Sequence, residues 1–231
     1  MVEIKVVTYN IRHCEGMDGK VDLRRIAAVL EALDADIIAL QEVDMGRLRT
    51  RLAKQAYVLA RLLGMGCVYG EALRYRIGSF GNAVLSRFPI KSYMNHRLPA
   101  PKPQRSMQEV HLDINGQTVR IFNTHLELNR ELRLTQIREF IVPLIQSSNT
   151  PAIFAGDLNE TSDDPGVKYL TQCFTDSFVV NSGLLTNTFT SRNPAERIDF
   201  IFLNNGFQAL DYRIQSADAS DHLPVFSRIQ G

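Results

Sequence analysis

Pro151-Ala152-Ile153-Phe154-Ala155-Gly156-Asp157-Leu158-Asn159 is the stretch on which the fold turns. Its first five residues form an apolar run bounded by turn signals, the pattern of a short buried strand. Gly156 opens a tight bend where that strand ends. A carboxylate and a carboxamide two residues apart on such a bend can point toward one bound group. Asp157 can orient a water or hold a cation, and Asn159 can donate hydrogen bonds without adding charge. Four other strand ends carry similar groups: Asn10, Glu42, His125 and the Asp221-His222 pair. Polar termini on otherwise apolar strands predict one site assembled at one edge of a sheet core.

Outward from that strand the chain alternates sheet and helix patterns. A first strand starts near Val2 and ends at Thr8-Tyr9-Asn10. Asp22 is a plausible N-cap, and Leu23, Ile26, Ala27, Leu30 and Leu33 recur at helical spacing. Asp36–Val43 reads as a strand buried on both faces. A second helix is predicted from Arg51 to Leu63, stopped by Gly64. Strands then follow one another from Cys67 to Ile121, with Asn115-Gly116 suited to a tight hairpin. Val119–Leu126 is a further strand, and a helix over about 131–145 precedes the strand ending at Asp157. Arg197–Phe202 and Ser220–Val225 complete the set. Pro99–Pro103 reads as a stiff surface loop, too short to separate domains. Each half shows strands, a helix, then a strand delivering a carboxylate. Two sheets face to face with helices outside, in one domain over 1–231, would satisfy that order.

Composition narrows the function classes. A net charge of +1 supplies no field for polyanions, so a long nucleic-acid substrate is not favoured. Three cysteines without CxxC spacing argue against a disulfide framework or a structural zinc site and for a reducing compartment. Cys14 is close in sequence to Asn10, but a chemically idle thiol is the simpler reading. No apolar run approaches the roughly 20 residues of a membrane span, and no secretion signal opens the chain. A cytoplasmic location is the expectation.

The strand-end residues define the chemistry. A carboxylate such as Glu42 at the end of a buried strand is costly unless paired. A lone Glu would pair with Arg47, Arg49 or Arg51; beside Asn10, Asp157 and Asp221, a divalent cation is the better partner. Oxygen ligands point to Mg²⁺, or Mn²⁺, rather than Zn²⁺. His222 can act near neutral pH if a carboxylate fixes its tautomer, and Asp199 is the candidate for that task. His125 could offer a second imidazole to a phosphoryl oxygen. Arg12 could face a phosphate or form a surface ion pair. His13, His96 and His111 are read as structural or exposed, with no shared focus.

Tyr9-Asn10-Ile11, Gln41-Glu42-Val43, Gly81-Asn82-Ala83-Val84-Leu85-Ser86, Thr124-His125-Leu126, Gly156-Asp157-Leu158-Asn159, Arg197-Ile198-Asp199 and Ser220-Asp221-His222 together resemble the endonuclease/exonuclease/phosphatase superfamily. The match runs in order along essentially the whole chain. The resemblance implies a four-layer α/β sandwich of two mixed, mainly antiparallel sheets, and Mg²⁺-dependent phosphoester hydrolysis. It makes Glu42 the main metal ligand with Asn10 and Asp221 beside it. It makes Asp157 and Asn159 the pair that orients water and phosphoryl group, and His222 the imidazole held by Asp199. Arg12 and Asn82 are the expected substrate contacts. The sequence departs from abasic-site endonucleases, which place Asp at the position of Arg12 and lack a counterpart of His125. With no Trp and little net charge, a stacking surface for nucleic acid is not evident. The expectation is therefore a monomeric hydrolase of a small or lipid-linked phosphodiester. An endonuclease or exonuclease acting on DNA or RNA, and a non-catalytic phosphate-binding module, are the competing readings.

Overall fold

The computed structural model describes residues 2–100, 104–181, 186–204 and 206–231. Four strands come first: β1 (Glu3–Asn10), β2 (Ile37–Met45), β3 (Gly66–Arg74) and β4 (Ser79–Ser86). Then follow β5 (Ile90–Leu98), β6 (Arg105–Ile114), β7 (Gln117–His125), β8 (Ala152–Asp157), β9 (Thr175–Asp176) and β10 (Asp199–Leu203). The last two are β11 (Gln208–Ile214) and β12 (Val225–Gln230). They form two six-stranded sheets, ordered β11-β12-β1-β2-β4-β3 and β5-β6-β7-β8-β10-β9. Each sheet holds one parallel pair, β1–β2 or β7–β8, flanked on both sides by antiparallel neighbours. A parallel pair needs a crossover, and helices supply it in both halves.

The helices are α1 (Leu23–Leu33), α2 (Gln55–Leu63), α3 (Arg130–Thr135), α4 (Val142–Gln146) and α5 (Pro165–Cys173). Asp22 caps α1 by accepting from the backbone of Arg24 and Arg25, at 2.9 and 3.2 Å. The second helix starts at Gln55, four residues later than its sequence indicates. Arg51 and Leu52 lie in the left-handed region after a single 3-10 turn. Gln55 is drawn inward instead, accepting from Asp44 N and donating to His13 O. Between α3 and α4 the helix widens to π geometry over Gln136–Ile141. Pro143, in the first turn of α4, cannot donate to the carbonyl one turn back, which accounts for that widening. At Asn115-Gly116 both residues have positive φ, as the tight hairpin between β6 and β7 requires.

Strand alternation sorts the apolar residues into three clusters, one per interface of four layers. Ile121 and Ile153 point between the sheets with Ile4, Val6 and Ile37. Their neighbours Phe122 and Phe154 point outward, against Ile137, Ile141, Val167 and Leu170 of the helical layer. Val7, Tyr9, Ile38 and Leu40 meet α1 and α2 on the other side. Phe122, Phe154 and Phe202 are in register across three strands, and the latter two rings stack at 6.1 Å. Cys14 is buried in the α1–α2 layer and is structural. His96 and His111 do share a partner: both meet Glu109, at 2.8 and 2.9 Å, on the outer face of the second sheet. The central residues of the Pro99–Pro103 loop, 101–103, lie outside the described residues.

The packing makes a quantitative expectation. Phe154→Ala removes a wholly buried ring and should lower unfolding free energy by about 3–5 kcal/mol in urea titration. The half-exposed Phe140→Ala should cost far less.

Candidate active site

Five strands meet at one edge of the sandwich, two from the first sheet and three from the second. In the second sheet, register places His125 opposite Asp157 and Asp157 opposite Asp199, a row across three adjacent strands. In the first sheet Asn10 pairs with Gln41, next to Glu42. Glu42 interrupts its ladder: the register with β4 shifts between Leu40 and Val43, and Glu42 has φ 58°. A non-glycine residue in that region is strained, and the bulge turns its carboxylate out of the sheet toward the row. Asn159 also has positive φ, after the Gly156 bend. Asp157 Oδ1 accepts from Asn159 N at 3.0 Å, which closes that turn. Gly156 cannot be replaced there, because a Cβ would lie 2.1 Å from Thr124 O.

Asn10 joins the two sheets. Its Nδ2 donates to Asp157 Oδ2 at 2.9 Å and to Glu42 Oε1 at 3.3 Å. Behind it, Gln41 Nε2 donates to Asn123 Oδ1 at 2.8 Å, and Asn123 Nδ2 donates to the Leu40 and Ala83 carbonyls. These buried amides hold the strands that carry Glu42 and His125 at a set separation. Ser220 Oγ donates to Asn10 O at 2.7 Å and so fixes the loop that delivers His222.

The two imidazoles face Asp157 in opposite charge states. His222 Nδ1 lies 2.9 Å from Asp199 Oδ2, and its Nε2 lies 3.7 Å from Asp157 Oδ2. Burial pulls its pKa down, but Asp199, Asp157 and Asp221 outweigh burial and raise it to about 10. His125 Nε2 is 3.4 Å from the same Asp157 oxygen. Burial dominates there, opposed by Asp157 and helped by Arg105 and His222, and lowers the pKa to about 3. His125 is therefore neutral beside a protonated His222. Burial raises the Glu42 carboxyl above its ordinary range, against the Asn10 hydrogen bond, with Asp157 adding to the rise.

The carboxylates of Glu42, Asp157 and Asp221 line one cleft and suit a hard divalent cation. Asp157, Asp199 and His222 each offer one donor atom within 4.8 Å of the others. Asp199 Oδ1, His125 Nδ1 and Arg105 Nε are buried with no hydrogen-bond partner among the described residues. The cleft above them has a volume of about 340 Å³, with Glu42, His125, Asp157, Asn159, Asp221 and His222 in its wall.

Residues 7–222 match the Endonuclease/Exonuclease/phosphatase family. The chain belongs to this family. Protein YbhP of Escherichia coli is 25% identical over 97% of this chain and 95% of its own. A 5'-tyrosyl-DNA phosphodiesterase of Caenorhabditis elegans is 28% identical over 68% of this chain and 43% of its own. Among solved structures, an endonuclease/exonuclease/phosphatase from Beutenbergia cavernae covers 100% of this chain and 72% of its own, at 24% identity and TM-score 0.81. The mannosyl-6-phosphatase Bt3783 of Bacteroides thetaiotaomicron covers 99% of this chain and 100% of its own, at 20% identity and TM-score 0.82. These structural likenesses establish the shared sandwich fold.

The remaining residues singled out in the sequence are each engaged by neighbours. Asn10 faces the carboxylates with its Nδ2, while its Oδ1 accepts from Arg12 N at 3.1 Å. It separates two acids rather than presenting a free oxygen. Asp221 is tied to Arg12 Nε at 3.5 Å, so Arg12 balances an acid instead of standing open to a phosphate. Asn82 is buried, and its Nδ2 donates to Ser106 O at 3.2 Å, bracing the two sheets away from the cleft wall. Asn159 gives one N–H to Leu126 O. Glu42 does not pair with the arginine loop, because Arg49 is held by Asp44 at 2.7 Å.

Other contributors escaped the sequence reading. Arg105, Phe189, Glu196 and Leu128 also line the cleft, and the Phe189 ring centroid is 4.9 Å from that of His222. Gln41 and Asn123 were legible as amides inside apolar strands, a pattern that signals a buried bridge.

Asn10→Asp tests the amide between the acids. The variant loses two charge-assisted hydrogen bonds and adds a third carboxylate, with an expected cost of about 3 kcal/mol at neutral pH. The crowded carboxyls then titrate above their unfolded values. The loss should therefore be largest at neutral pH and shrink as pH falls through those raised pKa values, in thermal unfolding with chelator present.

Proposed function

We propose that the protein is a divalent-cation-dependent phosphoesterase that cleaves a small or lipid-linked phosphodiester by in-line attack of water. The observation that carries this reading is Asp157 held between His125 at 3.4 Å and the Asp199-bound His222 at 3.7 Å. Asp157, an acceptor only when ionised, suits removal of the proton from water. His222, kept charged by its acidic neighbours, suits donation to the phosphoryl or leaving oxygen. His125 and Asn159 offer neutral hydrogen bonds to the same group. Arg105, ion-paired with the buried Glu127 at 3.7 Å, adds a guanidinium to the cleft wall.

Glu42 would hold the cation, Mg²⁺ or Mn²⁺, with Asp221 at the same mouth. When bound, that ion neutralises charge on the phosphoryl oxygens. We assign Asp199 and His222 to proton chemistry, because His222 Nδ1 is engaged by Asp199 at 2.9 Å and its Nε2 faces Asp157. Asn10 and Arg12 order these acids, and Asn82 supports the frame. One copy contains every group of the site, so the monomer is taken as the working unit. No helix among the described residues is long and apolar enough to cross a membrane.

The likeness to a 5'-tyrosyl-DNA phosphodiesterase favours a second reading, a phosphodiesterase acting on a nucleic-acid end. A panel of phosphodiesters and phosphomonoesters, assayed with Mg²⁺ and with chelator, separates the two. Asp157→Ala and His222→Ala should each lower turnover by about 10³-fold without unfolding the protein. Near-normal turnover in either would remove the assignment. Calorimetric Mg²⁺ titration should fail for Glu42→Gln and persist for His222→Asn. The reverse result would place the ion in the group of Asp157, Asp199 and His222.

A further inference from the structure

β2 runs past Glu42 to Met45, and the loop beyond it carries chemistry that hydrolysis does not use. This loop, 46–52, lies against the β3–β4 turn, 75–78. Arg47 Nη1 donates to Ile77 O at 3.2 Å, and the Arg47 guanidinium sits 3.3 Å from the Tyr75 ring centroid. The two loops therefore form one surface, around a groove of about 490 Å³.

Leu48 is 66% exposed, Leu52 55%, Tyr75 40% and Ile77 42%. Leu48, Tyr75 and Ile77 line that groove together, a patch and not the scattered exposure that any surface shows, and Leu52 stands exposed at the end of the same loop. Arg47 and Arg76 stand in the groove wall and Arg51 on the same loop as Arg47, none with a carboxylate in ion-pair reach among the described residues. The nearby Arg49 and Arg74 are neutralised by Asp44 and Glu71. The net charge of the whole chain is only +1, so this local excess is a feature of the rim.

We infer that this rim is an interfacial docking surface for an anionic lipid bilayer. Leu48, Leu52, Tyr75 and Ile77 enter the boundary between headgroups and acyl chains. Arg47, Arg51 and Arg76 meet the lipid phosphates, their stems lying along the apolar side chains. Charge complementarity selects an anionic surface, and the aliphatic centre selects lipid over nucleic acid. A base needs a planar face to stack on. Leu48, Leu52 and Ile77 have none, and one face of Tyr75 is already covered by Arg47. The rim follows directly on β2, the strand that carries Glu42 to the cleft wall. Docking here would bring headgroup phosphoesters to the mouth of the catalytic row. That consequence rests on the lipid-linked reading above; the docking itself does not.

The test is co-sedimentation of the full chain with phosphatidylcholine vesicles and with mixed phosphatidylcholine–phosphatidylglycerol vesicles. Binding to the mixed vesicles, weakened by salt, and little binding to pure phosphatidylcholine are expected. Removing the arginines as Arg47→Gln, Arg51→Gln and Arg76→Gln should lower the partition coefficient about fivefold each. Leu48→Asp with Ile77→Asp should abolish binding while leaving turnover of a soluble phosphodiester unchanged, which reports that the fold is intact. Equal binding by the Asp variant and the parent would overturn the proposal. So would absence of binding to mixed vesicles, or a single-stranded oligonucleotide binding through the same residues while vesicles are ignored. Vesicle binding without hydrolysis of any lipid phosphoester would leave the docking surface standing and remove the lipid-linked substrate.

Discussion

The hydrogen bond from Asn10 Nδ2 to Asp157 Oδ2 joins the end of one sheet to the end of the other, inside the protein. The same amide reaches Glu42, so it spans the gap between the acids of the two sheets. Two sheets that pack face to face through aliphatic side chains can slide, because dispersion has little directional preference. A buried amide has strict partners, and leaving them unmatched is costly. Asn10 above, with Gln41 and Asn123 behind it, converts a slippery interface into one with a defined register. Glu42 and His125, each close to one of these amides in sequence, inherit that register.

Electrostatics completes the arrangement. Glu42, Asp157, Asp199 and Asp221 gather where solvent is scarce, and such a cluster is tolerable only with positive charge among it. The protein supplies some: His222 held protonated, Arg12 against Asp221, Arg105 in the wall. His125 Nδ1 has no hydrogen-bond partner among the described residues, with Glu42 Oε1 4.0 Å away, and burial lowers its pKa. Two histidines around one carboxylate thus differ because Asp199 touches only one of them. The strained φ of Glu42 belongs to the same economy of position, since an unbulged strand would aim that side chain elsewhere.

Much of this was legible in the chain. Buried strands ending in Asn10, Glu42, His125 and Asp157, and the Asp199–His222 partnership, follow from periodicity and strand-end chemistry, and all meet in the structure. The sandwich order was also legible, because each half repeats strands, a helix and then a strand that delivers a carboxylate. Less legible were the functions of amides. Asn10 and Asn82 carry donors and acceptors on one side chain, so sequence cannot say which end faces a neighbour. Arg12 could not be placed either, since its partner Asp221 is distant in sequence and adjacent only after folding.

By itself, the sequence determined the elements, their apolar faces and the kind of groups at their ends, because these depend on local spacing and side-chain chemistry. Tertiary structure decided which oxygen meets which donor, which imidazole is charged, and that the Arg47 and Tyr75 loops form a single rim. Those properties depend on separations of a few ångströms between segments far apart in the chain, and on how much water burial leaves between them.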